Sequence, residues 1–117
     1  MPPTFHLTPQ EWWSASDPAR PLEAPSLAAE GFIHCTTGAA NMVETANRHY
    51  RADSRDFIVL TVDLDRVTSP WRVEDRGGIY PHVFGPIDRA AIEAAVPAPR
   101  DRDGLFLPFE AAASQRG

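Results

Sequence analysis

Three of the four histidines in this chain of 117 residues sit in short apolar or turn-bounded stretches. His6 lies between Phe5 and Leu7, His34 lies in Gly31-Phe32-Ile33-His34-Cys35-Thr36, and His82 follows Tyr80-Pro81. Imidazole titrates near neutral pH and offers a donor and an acceptor, so it suits proton transfer, metal binding or the holding of a hydroxyl. The glycine and the hydroxyls around His34 place it near backbone N–H groups that attract anions. A lone histidine in an apolar strand is ordinarily a core residue, and only company argues for a site. Strand alternation puts Phe5 and Leu7 on one face and His6 on the other. It likewise groups Phe32 with His34 and Ile33 with Cys35. If the two strands pair with their histidine faces matched, two imidazoles line one groove. A third polar group would come from Glu74, or from Tyr80 and His82 on a backbone stiffened by Pro81. Gly85 admits close approach of a ligand or of another chain segment. His49, beside Arg48, reads as a solvated surface residue.

Rival chemistries are weaker. Three histidines and a cysteine could hold zinc, but no HxH, CxxC or HExxH spacing occurs, and His34 and Cys35 point to opposite faces. No metal is expected. Cys35 as a nucleophile has the same difficulty of facing, and a free cysteine is often simply buried. Gly77-Gly78 is too little for a phosphate loop, and no GxGxxG or GxSxG motif appears. Trp12 and Trp13 read as core and rim rather than as a stacking platform.

Composition narrows the setting. The length suits one domain, and 43% hydrophobic residues suffice for a core without disulfides or metal. A net charge of −5 excludes nonspecific binding to nucleic acid. All eleven basic residues are arginine, so Schiff-base chemistry is out and anions fall to arginine, histidine or backbone. One cysteine forbids an internal disulfide. The start lacks a signal-peptide pattern, and the longest apolar run, Phe57–Val62, is too short for a membrane span. A cytoplasmic protein is the expectation.

The elements that must position the histidines follow from local pattern. Phe5-His6-Leu7 is a first strand, with Thr8 as N-cap and Pro9 as first residue of a short helix. Pro25 to Ala29 is a helical turn stopped by Gly31. Phe32 to Cys35 is a second strand, and Thr36 or Thr37 caps a helix to about Arg51. Ala39, Met42, Val43, Ala46 and Tyr50 share one face of that helix. Phe57–Val62 is a central strand covered on both faces. Trp71-Arg72-Val73-Glu74 alternates like a half-buried strand. Arg76-Gly77-Gly78 is a turn, and Ile79 to Phe84 is extended, with Pro81 favouring an edge or a bend. Ile87 to Ala95 reads as a helix and Leu105-Phe106-Leu107 as a last strand. The pattern implies one compact α+β domain over 1–110 with a largely antiparallel sheet. The tail, 111–117, is expected to be disordered.

In order along the chain, Phe5-His6-Leu7-Thr8, Glu11-Trp12, Ser26-Leu27, Glu30-Gly31-Phe32-Ile33-His34-Cys35-Thr36, Ala46-Asn47-Arg48 and Tyr80-Pro81-His82-Val83-Phe84-Gly85-Pro86 resemble the bacterial family called domain of unknown function 952. The likeness runs from Thr4 to Leu107. One departure is Ala40, where a glutamine is expected. The family looks like a distant relative of the ADP-ribosyltransferase-like fold, in its RNA 2′-phosphotransferase branch. That resemblance implies a groove taking NAD or a related nucleotide, and leaves open ADP-ribosyl transfer, NAD cleavage or binding alone. His6, His34, His82 and Glu74 would be its catalytic groups. His6, Thr8, His34, Thr36, Arg72 and Tyr80 would be its binding groups. The alternative is a noncatalytic module for a small molecule or a protein, whose histidines are structural.

Overall fold

The computed structural model describes residues 2–110; the expectation for 111–117 lies outside them. Two antiparallel sheets share the chain. The larger has the order β3-β1-β4-β7, built from β1 (Thr4–Pro9), β3 (Thr36–Thr37), β4 (Phe57–Val62) and β7 (Ile92–Pro97). The smaller has the order β2-β6-β5, built from β2 (Ile33–His34), β5 (Trp71–Val73) and β6 (Pro81–Val83). Helices α1 (Gln10–Ala15), α2 (Pro25–Glu30) and α3 (Ala39–His49) complete the fold, with single 3-10 turns at Leu64–Arg66 and Arg89–Ala91. Among the described residues no helix is long and apolar enough to cross a membrane.

The apolar run of β4 is buried at every position, as its unbroken β-branched pattern requires. It pairs with β1 from Thr4↔Val62 to Pro9↔Phe57 and with β7 on the other side. One core lies on one side of this sheet, around Ile33, Cys35, Leu60, Val83 and Ile87. The other takes Phe5, Met42, Ala46, Phe57, Val59 and Phe106, so the predicted face of α3 is the one that packs. Gly31 ends α2 in the left-handed conformation (φ 89°), where a side chain would be strained.

Several local expectations give way to tertiary pairing. Thr8 and Pro9 belong to β1, and Pro9 itself stands at the N-cap of α1. Thr36 and Thr37 do not cap α3: they form β3, and Gly38 takes the cap position. Ile87 to Ala95 is not a helix. After the 3-10 turn, Ile92–Pro97 runs as a strand, because the outer edge of β4 offers backbone partners that outweigh alanine's helical preference. Trp71–Val73 buries no face; all three residues are exposed. Pro81 does not mark an edge. It opens β6, the middle strand of its sheet.

Leu105-Phe106-Leu107 forms no strand either, only an isolated bridge between Arg100 and Phe106. The Asn47 side chain explains this. Its Oδ1 accepts from the Phe106 N–H at 2.7 Å and its Nδ2 donates to the Phe106 carbonyl at 3.0 Å. One amide thereby supplies both bonds that a neighbouring strand would have made.

Candidate functional site

The segment 33–37 joins the two sheets, and the site opens where it does so. Along one side it keeps bonding to the β6 segment: Ile33 opposes Val83, His34 opposes His82, and the N–H groups of Cys35 and Thr37 donate to the carbonyls of Pro81 and Ile79. Along its other side only Thr36 and Thr37 pair with β1, opposite Phe5 and Thr4. Beyond that point β1 and β2 splay apart. The expected pairing of the His6 and His34 strands therefore does not occur. A side chain fills the gap: His6 Nδ1 donates to the His34 carbonyl at 2.7 Å.

This bond fixes the chemistry of His6. Its proton stands on Nδ1, because the partner is a carbonyl. Burial pushes its pKa down, since an imidazolium there loses its water; the bond to the His34 carbonyl opposes the shift. His6 is therefore a neutral imidazole at pH 7. Its Nε2 has no protein partner among the described residues and is not sealed in the interior, so its lone pair faces the adjoining groove.

The groove encloses about 810 Å³, enough for a nucleotide-sized ligand. His6, Thr8, His34, Thr36, Tyr80 and His82 all line it. Tyr80 is anchored at both ends: its hydroxyl lies 3.2 Å from Thr45 Oγ1 on α3, and its N–H donates to Asp75. His34 and His82 are cross-strand neighbours with ring centroids 5.6 Å apart. Phe32 stacks on His82 at 4.1 Å and meets His34 edge-on at 4.8 Å, so Phe32 and His34 share a face as alternation requires. Glu30 Oε2 sits 3.1 Å from His34 Nε2.

Two residues proposed from sequence stand apart. Glu74 reaches His82 Nδ1 at 3.3 Å, and Arg72 lies over Phe84 at 4.5 Å, but neither lines the groove. Glu30 and Asp75 are the lining carboxylates instead. Asp75 accepts from the Ile79 and Tyr80 N–H groups, which hold its carboxyl below the usual range. The sequence signal for Glu30 was a carboxylate placed directly before the glycine stop and four residues before His34. Cys35 packs in the core with Ile33 but also borders the groove, against expectation; burial pushes its thiol up to about 12, so no thiolate forms near neutral pH. Gly85 receives another chain segment rather than leaving space. A Cβ there would stand 2.5 Å from Ser69 Oγ.

The far end of the groove is aromatic and basic. Trp13 packs against the core while Trp12 is exposed, with the Arg55 guanidinium 5.1 Å from the Trp12 ring. Arg55 also bonds Asp53, which brings that carboxyl down to about 2. Tyr50, packed on Phe57, and the exposed His49 beside it complete this end, and Arg48 also lines the groove. His49 is thus a surface residue that also borders the groove.

Fold and groove together define a small α+β protein with a groove at the junction of two antiparallel sheets. The chain belongs to the protein family of unknown function DUF952, whose model matches residues 7–95. No curated protein matches it. Among solved structures it is similar to protein CC0527 from Caulobacter crescentus. The crystal structure of that protein is 21% identical with a TM-score of 0.74, covering 97% of this chain and 96% of that one. The solution structure of the same protein is 22% identical with a TM-score of 0.67, covering 90% and 91%. These likenesses establish the shared fold.

Proposed function

We propose that the groove binds NAD or a related nucleotide, and that ADP-ribosyl transfer or cleavage of the nicotinamide–ribose bond is the chemistry it serves. The observation that carries this reading is the fixed tautomer of His6. A neutral imidazole with Nδ1–H committed to a backbone carbonyl presents a lone pair at Nε2, which accepts from a ribose hydroxyl. Thr8, Thr36 and the Tyr80 hydroxyl add polar groups along the same walls. Trp12, Tyr50 and Tyr80 offer ring faces for a base.

Breaking the nicotinamide–ribose bond builds positive charge on the sugar. A groove that holds the ribose rigidly and aims a carboxylate at that charge lowers the barrier. His6 would hold the sugar and His34 would steady the carboxylate of Glu30. The test is calorimetry and thermal shift with NAD, ADP-ribose and a 2′-phosphorylated ribose, together with an assay for released nicotinamide. Saturable binding that His6→Ala weakens at least tenfold is the expected result. Absence of heat with all three ligands overturns the proposal.

A second reading rests on the same bond. His6 bridges β1 to β2 where the sheets part, so its role could be architectural and the protein a noncatalytic binding module. In that case His6→Ala lowers the melting temperature while no nucleotide shifts it in the wild type.

A further inference from the structure

We propose that β5 is an interface: two copies of this chain pair edge to edge along it, about a two-fold axis at Val73.

An open sheet edge offers unpaired backbone groups to another chain. The other edge strands of this fold are guarded. In β7 a bulge breaks the register and Pro97 ends the strand. On β3 the Thr37 N–H is spent on Ile79, and on β2 the His34 carbonyl is spent on His6. Strand β5 has no such guard. Its ladder with β6 pairs Trp71, Arg72 and Val73 with Val83, His82 and Pro81. The Phe84 N–H donates to the Pro70 carbonyl, and bonding in an antiparallel ladder alternates. Arg72 therefore turns its backbone groups toward β6, while Trp71 and Val73 turn theirs to the open side. From β6 the same alternation holds, since Pro81 spends its carbonyl on Cys35, away from β5.

The side chains repeat the pattern. Trp71 and Val73 lie on the same face as Val83 and Pro81, which are buried. Yet Trp71 is 37% exposed and Val73 40%, and neither belongs to a core cluster. The apolar face of the small sheet outruns the core beneath it.

Charge names the occupant. Arg72 and Glu74 flank Val73 with opposite signs. Antiparallel pairing centred on Val73 sets Arg72 of each copy against Glu74 of the other, and the two Val73 residues exchange both backbone bonds. Centring on Arg72 would set two arginines against each other. Within one chain Arg72 and Glu74 meet only at 3.7 Å, at 66% and 49% exposure, so that pair is cheaply traded. Trp71 and Val73 of both copies then lie on one face and cover each other. Glu74 also contacts His82, a lining residue of the groove, so the interface lies one side chain from the site.

Sedimentation velocity over a series from micromolar to millimolar concentration tests this. Wild type is expected to shift from monomer to dimer along the series. Arg72→Glu and Glu74→Arg each place like charges opposite one another twice and should weaken the dimer about tenfold or more. Both positions are exposed, so neither swap threatens folding. An equimolar mixture of the two variants should form a heterodimer, because every facing pair is then opposite in sign. The double variant Arg72→Glu with Glu74→Arg should dimerise as wild type does. A wild type that stays monomeric, or a dimer that survives either single swap, overturns the proposal. So does a mixture of the two variants that fails to associate.

Discussion

The two sheets of this protein are held together differently. In the large sheet, β4 is buried along its whole length and held between β1 and β7 by registers of five or six residue pairs. In the small sheet each strand has only two or three residues, β5 is wholly exposed, and the rings of Phe32, His34 and His82 pack on one another. The first sheet is stabilised by apolar burial, which is nondirectional and large. The second is ordered by stacking of Phe32 on His82 and by exposed ion pairs, which are individually weak. Apolar burial thus marks the large sheet, the groove takes its lining from both sheets, and the His6 side chain bonds β1 to β2 across the gap between them.

The largest test of that division is Leu60→Ala in β4. Leu60 is fully buried, so the variant should lose about 3 kcal/mol by urea unfolding. A loss below 1 kcal/mol would mean that the large sheet is not the stabilising one. Gly85→Ala comes next. The added Cβ would meet the Ser69 side chain, Oγ at 2.5 Å and Cβ at 2.9 Å, and should cost about 1–3 kcal/mol. Combining it with Ser69→Gly should recover most of that loss; a purely additive double mutant would show that the close approach is not the cause.

His6 gives a pH signature at the junction. Its folded pKa lies below the unfolded value near 6.5, so the unfolded chain binds the proton first. Its contribution is full above about pH 6.5 and is lost as pH falls toward the depressed folded value. His6→Gln should flatten the melting-temperature profile in that window. The drop at lower pH should persist, since Asp53, Asp75 and Asp88 also have depressed pKa values and lose their share only when they protonate. A wild-type profile already flat between pH 7 and 5 would contradict a neutral buried His6. The smallest effect belongs to Glu74→Gln. It breaks only an exposed pairing with His82 and Arg72 and should change stability by less than about 0.5 kcal/mol. A larger loss would show that the small sheet depends on its charges more than its exposure implies.

Much of the architecture was legible because it rests on short-range pattern. The unbroken apolar run of β4, the packed face of α3 and the arrest of α2 at Gly31 all follow from periodicity and backbone freedom within a few residues. So does the division of Phe32 and His34 from Ile33 and Cys35. Six of the proposed site residues line one groove, and their types were evident from the chain. Glu74 and Arg72 were chosen by residue type alone, and type does not reveal which side of His82 a neighbour occupies.

By itself, then, the sequence determined the periodic elements, the facing of side chains within each and a shortlist of reactive groups. Only the tertiary structure decided that β1 pairs with Thr36–Thr37 but not with β2, that Asn47 replaces a strand at Phe106, and that Ile92–Pro97 extends along β4 instead of coiling. It also decided that Glu30 and Arg55 border the groove. Periodicity is a property of adjacent residues, whereas pairing is a competition among distant edges for backbone hydrogen bonds. The groove exists because two strands that could have paired do not, and the imidazole of His6 satisfies the carbonyl left between them.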